Sequence, residues 1–255
     1  MKNTVIYEKS GGVGVISLNR PEVNNAISSL MIAELTAICT DISMDNEIKA
    51  VIVTGAGSEA FCAGIDPAEL DNVNAKLERG QLSLASPLAA LNCPTIAAIN
   101  GDAFDQGLEL ALACDLRIAV SGIRLGLHHI GQGYIPWDGA TQRLPRLIGM
   151  PRAMEMVLTG KELSAEEAFE IGLVTKVVAS DELITFVKDI AQTMTTKSQL
   201  ALSFAKEAIN NGLDLTLEQG LRLEADLYFL LHTTEDRTEG IKAFREKRKP
   251  EFKGK

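Results

Sequence analysis

Up to about residue 178 the chain alternates strand-like and helix-like segments, and beyond that point only helical patterns follow. Strand signals are short apolar or alternating runs near Thr4–Tyr7, Val13–Leu18, Lys49–Thr54, Thr95–Ile99, Leu116–Ala119 and Val174–Val178. Helices read at Ser29–Ser43, at Pro151–Leu158 with proline at its first position, and at Ser164–Ile171, where Ser164 and Glu167 make a capping box. Such alternation defines an α/β fold. The glycine cluster Gly11-Gly12-Val13-Gly14 precedes a strand and reads as a hairpin turn. From Asp181 onward, apolar residues at Leu202, Ala205, Ala208 and Ile209, then at Leu221, Leu223, Leu227 and Leu230, recur at helical spacing. This divides the chain into a mixed core over 1–190 and a helical appendage over 191–255.

A chain of 255 residues with 46% hydrophobic content can bury a full core. Its formal charge of −9 argues against a general nucleic-acid binder, which needs a basic field. Met1–Ser10 lacks an apolar signal core and no run of about eighteen apolar residues occurs, so a cytoplasmic protein without a membrane partner is expected. Cys39, Cys62, Cys93 and Cys114 lie far apart with no Cys-x-x-Cys pair, which fits reduced, buried thiols. For Cys62 a reactive thiol is the rival reading. The last segment, Lys242–Lys255, is locally basic on an acidic protein and reads as a solvated terminus, with contact to phosphates across a subunit boundary as the alternative.

Chemistry concentrates between residues 94 and 143. Pro94–Asn100 is an apolar run closed by Asn100-Gly101, hence a buried strand ending in a turn. Gln106–Ala113 follows as a mostly buried helix that carries Glu109 among Leu108, Leu110, Ala111 and Leu112. An acid in such surroundings either finds a partner, for which Arg117 is a candidate, or has its pKa pushed upward in a way that suits proton transfer. The helix start at Asp105-Gln106-Gly107 exposes backbone N–H groups able to polarise a carbonyl. His128-His129 and then Tyr134, Trp137 and Asp138 come next. His129 has a core histidine as its rival reading and Asp138 a helix cap; Trp137 and Tyr134 line a pocket or simply pack.

Other signals fail their context. Gly55-Ala56-Gly57-Ser58-Glu59-Ala60 mimics a dinucleotide fingerprint, but Phe61-Cys62-Ala63-Gly64 is no helix opening. Adjacent histidines plus His232 give no helical ligand spacing, so no metal is expected. Neither a phosphate loop nor a Gly-x-Ser-x-Gly elbow is present.

Five pieces in order, Leu18-Asn19-Arg20-Pro21 with Asn25-Ala26, Val51–Gly55 leading to Phe61-Cys62-Ala63-Gly64-Ile65-Asp66, Asn100-Gly101 to Cys114-Asp115, Gln142-Arg143-Leu144 through Leu158-Thr159-Gly160, and Ala168 with Gly172-Leu173-Val174, resemble the crotonase (enoyl-CoA hydratase/isomerase) superfamily. The resemblance implies a spiral of ββα turns with a C-terminal helical oligomerisation region, as a homotrimer or dimer of trimers, binding an acyl-CoA thioester. Coenzyme A would enter as part of the substrate, with no separate cofactor. By position, the oxyanion-hole N–H groups would come from Ala63 and Gln106. Phe61, Gly64, Ile65 and Asp66 would join Tyr134 and Trp137 in substrate binding.

The departures from that pattern are specific. Hydratases carry Gly-Gly-Gly where this chain has Asp105-Gln106-Gly107, and a second glutamate in a Pro-Glu pair where this chain has His128-His129. Asp138 falls nine residues after His129, similar to the β-diketone hydrolases of the superfamily. With Glu109, His129 and Asp138 as catalytic candidates, the first expectation is hydration or isomerisation of an enoyl-CoA through a stabilised enolate. A rival is retro-Claisen cleavage of a β-diketone by a His129–Asp138 pair. A catalytically silent acyl-CoA binding subunit is the third.

Overall fold

The computed structural model describes residues 3–69 and 83–255. Two strands, β1 (Val5–Ser10) and β2 (Val13–Leu18), form an antiparallel hairpin whose turn places Gly11 and Gly12 at φ +59° and +81°. Two successive left-handed residues match the mirror-image turn that follows strand twist, and glycine adopts it without a Cβ penalty. Helix α1 (Ser29–Met44) then begins at Ser28, whose hydroxyl accepts the Met31 N–H.

From here each turn of chain lays one strand in a large sheet and the next in a small one. β3 (Ala50–Gly55), β5 (Thr95–Ile99) and β7 (Leu116–Val120) pair in parallel in the large sheet, whose full order is β1-β2-β3-β5-β7-β10. β4 (Ala60–Cys62), β6 (Asp102–Phe104) and β8 (Arg124–Gly126) pair in parallel in the small sheet, which β9 (Leu163–Ser164) completes. The helices α2 (Ala85–Ala89) and α3 (Gln106–Leu112) follow β4 and β6. This is the expected ββα spiral. Every residue of β3 and β5 is buried, which is why those strands read as continuous apolar runs instead of alternating ones.

Helices α4 (Ala140–Ile148), α5 (Met150–Thr159) and α6 (Ala165–Glu170) come next, then β10 (Lys176–Val178). The capping box at Ser164 and Glu167 forms as its spacing predicts. Pro151 occupies the second position of α5. β10 starts later than Val174 because the Leu173 and Val174 N–H groups both donate to the Ala168 carbonyl at the end of α6.

The remaining helices are α7 (Leu183–Thr195), α8 (Gln199–Gly212), α9 (Leu217–Leu231) and α10 (Glu235–Glu246). Leu183, Val187 and Ala191 of α7 are buried against β2, β3, β5 and β7, so this helix belongs to the core and runs across the boundary expected at residue 190. The basic C-terminal segment is tied back: Asp236 accepts the Lys253 and Gly254 N–H groups at 2.7 and 3.1 Å, and Arg248 pairs with Glu239 and Glu246. Among the described residues no helix is long and apolar enough to cross a membrane.

Candidate active site

The two sheets meet where β4 runs into the loop Ala63–Asp66 and β6 runs into α3. A Cβ on Gly107 would sit 2.3 Å from the Cys62 carbonyl oxygen, so only glycine lets the first turn of α3 lie against the β4 backbone. The loop is held from the other side: Arg20 pairs with Asp66 at 2.7 Å and also donates to the Ala26 carbonyl. That guanidinium holds the Asp66 carboxyl below its usual range, and the expected ligand residue acts as a loop anchor.

The Ala63 N–H donates to the Asn24 carbonyl at 3.0 Å, which removes it from the oxyanion role expected of it, since a single N–H makes one well-aligned bond. Ile65, two residues on, has its N–H turned towards α3. Ile27 pairs with the flanking peptides, accepting from Asp66 N–H and donating to the Gly64 carbonyl, while the Ile65 N–H faces α3 and meets Gln106 Oε1 at 3.3 Å. Gln106 opens α3 without a cap bond from the Asp105 side chain, so its own N–H is the second donor on this face. Gly64, at φ +88°, lies so near that a Cβ there would be 3.3 Å from Gln106 Oε1.

A single chain of contacts fixes the proton positions. The Ile65 N–H can only donate, so the Gln106 carbonyl oxygen faces it and the amide nitrogen faces outward. Gln106 Nε2 lies 2.7 Å from His129 Nε2 and donates to it. His129 Nε2 is therefore unprotonated and the ring proton sits on Nδ1, which lies 3.3 Å from Asp105 Oδ1 without the alignment of a full hydrogen bond. His129 is 1% exposed; burial pulls its pKa below 6.5 against the opposing Asp105 charge, with His128 pulling further down. The imidazole is neutral at neutral pH.

Glu109 faces the same ring. Its Oε1 accepts the Asp138 and Ala140 N–H groups at 2.9 and 2.8 Å, whereas Oε2 has no hydrogen-bond partner and stands 3.6 Å from His129 Nε2. Burial, aided by the nearby Asp138 charge, raises the Glu109 pKa to about 7 despite the N–H bonds to Oε1. Arg117 is not its partner: that guanidinium donates to the Leu173 and Cys114 carbonyls.

Asp138 does not pair with His129, contrary to the spacing-based expectation. Its Oδ2 accepts the Leu84 and Ala85 N–H groups at 2.9 and 3.0 Å and its Oδ1 accepts the Ser83 hydroxyl, so it caps α2 rather than its own helix. Burial raises its pKa, and those bonds oppose the rise. Between them the chain forms a 3-10 turn at His129–Gln132 and an irregular stretch that swing Asp138 to the far side of Glu109.

The Tyr134 ring sits edge-on to His129, centroids 5.7 Å apart, and Trp137 is half-buried beside the Glu109 anchor. Phe61 is wholly inside the core, so its expected contact with a ligand gives way to packing. Cys62 is also fully buried and its thiol is pushed up to about 12, which leaves it unreactive. His128 turns to Glu162, with Nε2 and Oε1 3.1 Å apart. Asp105, which the sequence reading named only as part of the turn opening α3, is the carboxylate beside His129 Nδ1; the available signal was a side chain where the family pattern has glycine.

An acid poised near neutrality, a neutral imidazole and two backbone N–H groups thus meet at one place, and the chain belongs to the enoyl-CoA hydratase/isomerase family, whose model matches residues 8–255. It is an enoyl-CoA hydratase/isomerase-like enzyme. The chain is 40% identical to a short-chain-enoyl-CoA hydratase of Clostridium acetobutylicum, covering 98% of this chain and 97% of that one. It is 39% identical to a crotonyl-CoA hydratase of Syntrophomonas wolfei, covering 97% of each. An enoyl-CoA hydratase from Bacillus anthracis has the same fold, with TM-score 0.94 and 42% identity over 99% of this chain and 100% of that one.

Proposed function

We propose that this protein hydrates a short-chain enoyl-CoA thioester, with His129 and Glu109 dividing the proton work. The observation that carries this reading is the 3.6 Å approach of His129 Nε2 and Glu109 Oε2 beside the Ile65 and Gln106 N–H groups. Neutral His129 takes a proton from water through Nε2. The resulting hydroxide equivalent adds to the β-carbon, the double-bond electrons move to the thioester oxygen, and the two N–H groups stabilise that enolate. Protonated Glu109 then delivers its Oε2 proton to the α-carbon. Transfer from imidazolium to carboxylate across the pair restores both groups, so hydrogen and hydroxyl have been added and nothing else consumed.

The Gln106 amide leaves the Ile65 N–H when the thioester oxygen arrives. Coenzyme A takes part as the carrier of the acyl group, with Ile65, Gly64, Tyr134 and Trp137 around the reacting end. Asp138 acts in this reading by positioning: its charge helps keep Glu109 protonated. Exposed Leu217, Leu221, Phe229 and Phe244 on the terminal helices support a homo-oligomer, for which a trimer or dimer of trimers is the proposed form, in the cytoplasm. The β-diketone reading loses its support with the absent His129–Asp138 pair.

The test is incubation with crotonyl-CoA, following enoyl-thioester absorbance and product mass. Gain of one water with the thioester intact is expected. Double-bond migration without mass gain would make the protein an isomerase, and opening of a cyclic β-diketone with no CoA substrate turning over would overturn the reading.

A further inference from the structure

Asp105 sits in a backbone conformation that a side chain should avoid. Its φ and ψ are 49° and −122°, a region that belongs to glycine because a Cβ crowds the neighbouring carbonyl. Glycine would remove that strain, but it would also remove every contact of the carboxylate. It is 9% exposed, its Oδ1 accepts the His128 N–H at 2.5 Å, and the same oxygen faces His129 Nδ1 at 3.3 Å. Its backbone carbonyl meanwhile accepts the Glu109 N–H at 3.0 Å, so one residue is fixed to both partners of the proton pair.

We propose that Asp105 is the positioning residue of this site, holding His129 in the Nδ1–H tautomer so that Nε2 faces the substrate as a base and the imidazolium formed in the reaction is stabilised. Gln106 supports the same tautomer from the other nitrogen. Asp105, His129 and Glu109 thus form a line of carboxylate, imidazole and carboxylic acid in which only the latter two exchange protons. The inference rests on the hydratase reading for its catalytic consequence but not for the tautomer itself.

The alternative is that Asp105 merely clamps the turn through the His128 N–H. Asp105→Asn keeps that acceptor and loses the charge; Asp105→Gly removes both and relieves the backbone. The titratable groups facing His129 are Asp105, Glu109, His128 and Tyr134, and of these only Asp105 is altered. Nitrogen-15 NMR of the three histidines, with His129 assigned by His129→Ala, should show His129 as the Nδ1–H tautomer in the wild type and a mixed population in Asp105→Gly. Removal of the neighbouring charge also lowers the imidazole pKa, moving the acid limb of kcat/KM to lower pH in both variants. kcat should fall on the order of 10- to 100-fold with KM little changed. Wild-type tautomer and acid limb in both folded variants would overturn the proposal. A wild type that hydrates no enoyl-CoA while Asp105→Gly still shows the tautomer change would overturn the hydratase reading and leave the positioning role standing.

Discussion

Glu109 Oε2 and His129 Nε2 stand 3.6 Å apart, and both side chains are almost wholly shielded from water. Burial pushes the acid upward to about 7 and the base below 6.5, so the usual order of the two groups is reversed. Near neutrality the pair holds one proton, on the carboxyl, and a small change in surroundings suffices to move it.

Replacing Glu109 by Gln keeps an oxygen for the Asp138 and Ala140 N–H groups and deletes the transferable proton. Steady-state hydration of crotonyl-CoA should fall by about 100- to 10,000-fold in kcat. Unchanged turnover would remove Glu109 from the mechanism.

The same substitution should change stability in a pH-dependent way. The folded pKa of about 7 lies above the model-peptide value of 4.5, so the stabilisation linked to the protonated form is complete below 4.5 and is lost as pH rises through 7. The loss reaches about 3 kcal/mol. Urea unfolding should therefore show Glu109→Gln gaining on the wild type at pH 8 compared with pH 5; a pH-independent difference between the two proteins would contradict the burial effect.

Activity should follow a bell in pH. The acid limb reflects protonation of His129, below its usual 6.5, and the alkaline limb reflects ionisation of Glu109 near 7. Asp138→Asn removes a charge that raises the Glu109 pKa, so the alkaline limb of kcat/KM should shift to lower pH. An alkaline limb that stays in place would show that Asp138 does not act on Glu109.

Gln106→Ala frees the Ile65 N–H from its long bond to Oε1. A bond of this kind contributes about 1 kcal/mol, so KM for crotonyl-CoA should drop about fivefold. A raised KM would mean that the amide helps to bind the thioester instead of yielding to it.

Gly107→Ala places a methyl 2.3 Å from the Cys62 carbonyl oxygen, and the first turn of α3 must move away from β4. Thermal denaturation should report a loss of about 3 kcal/mol or more. A variant as stable as the wild type would show that the two segments separate easily.

The sequence by itself determined the α/β class, the long strands and the buried acid. Apolar runs such as Val51–Val53 and Ile96–Ile99 are long enough to declare a strand, and Glu109 is surrounded by leucines on its own helix, so its burial is local information. The Ser164–Glu167 box was equally local. The small sheet was not legible, because β4, β6 and β8 have three residues each and show no period. Nor was the site's wiring. Spacing offered Asp138 to His129 and the family resemblance offered Ala63 to the oxyanion, but irregular backbone has no repeat that says where a side chain points. The tertiary structure instead set Asp105 beside His129 and the Ile65 N–H against Gln106, because crossing β4 over the start of α3 and laying the His129 turn beside both brings together groups that no sequence interval connects.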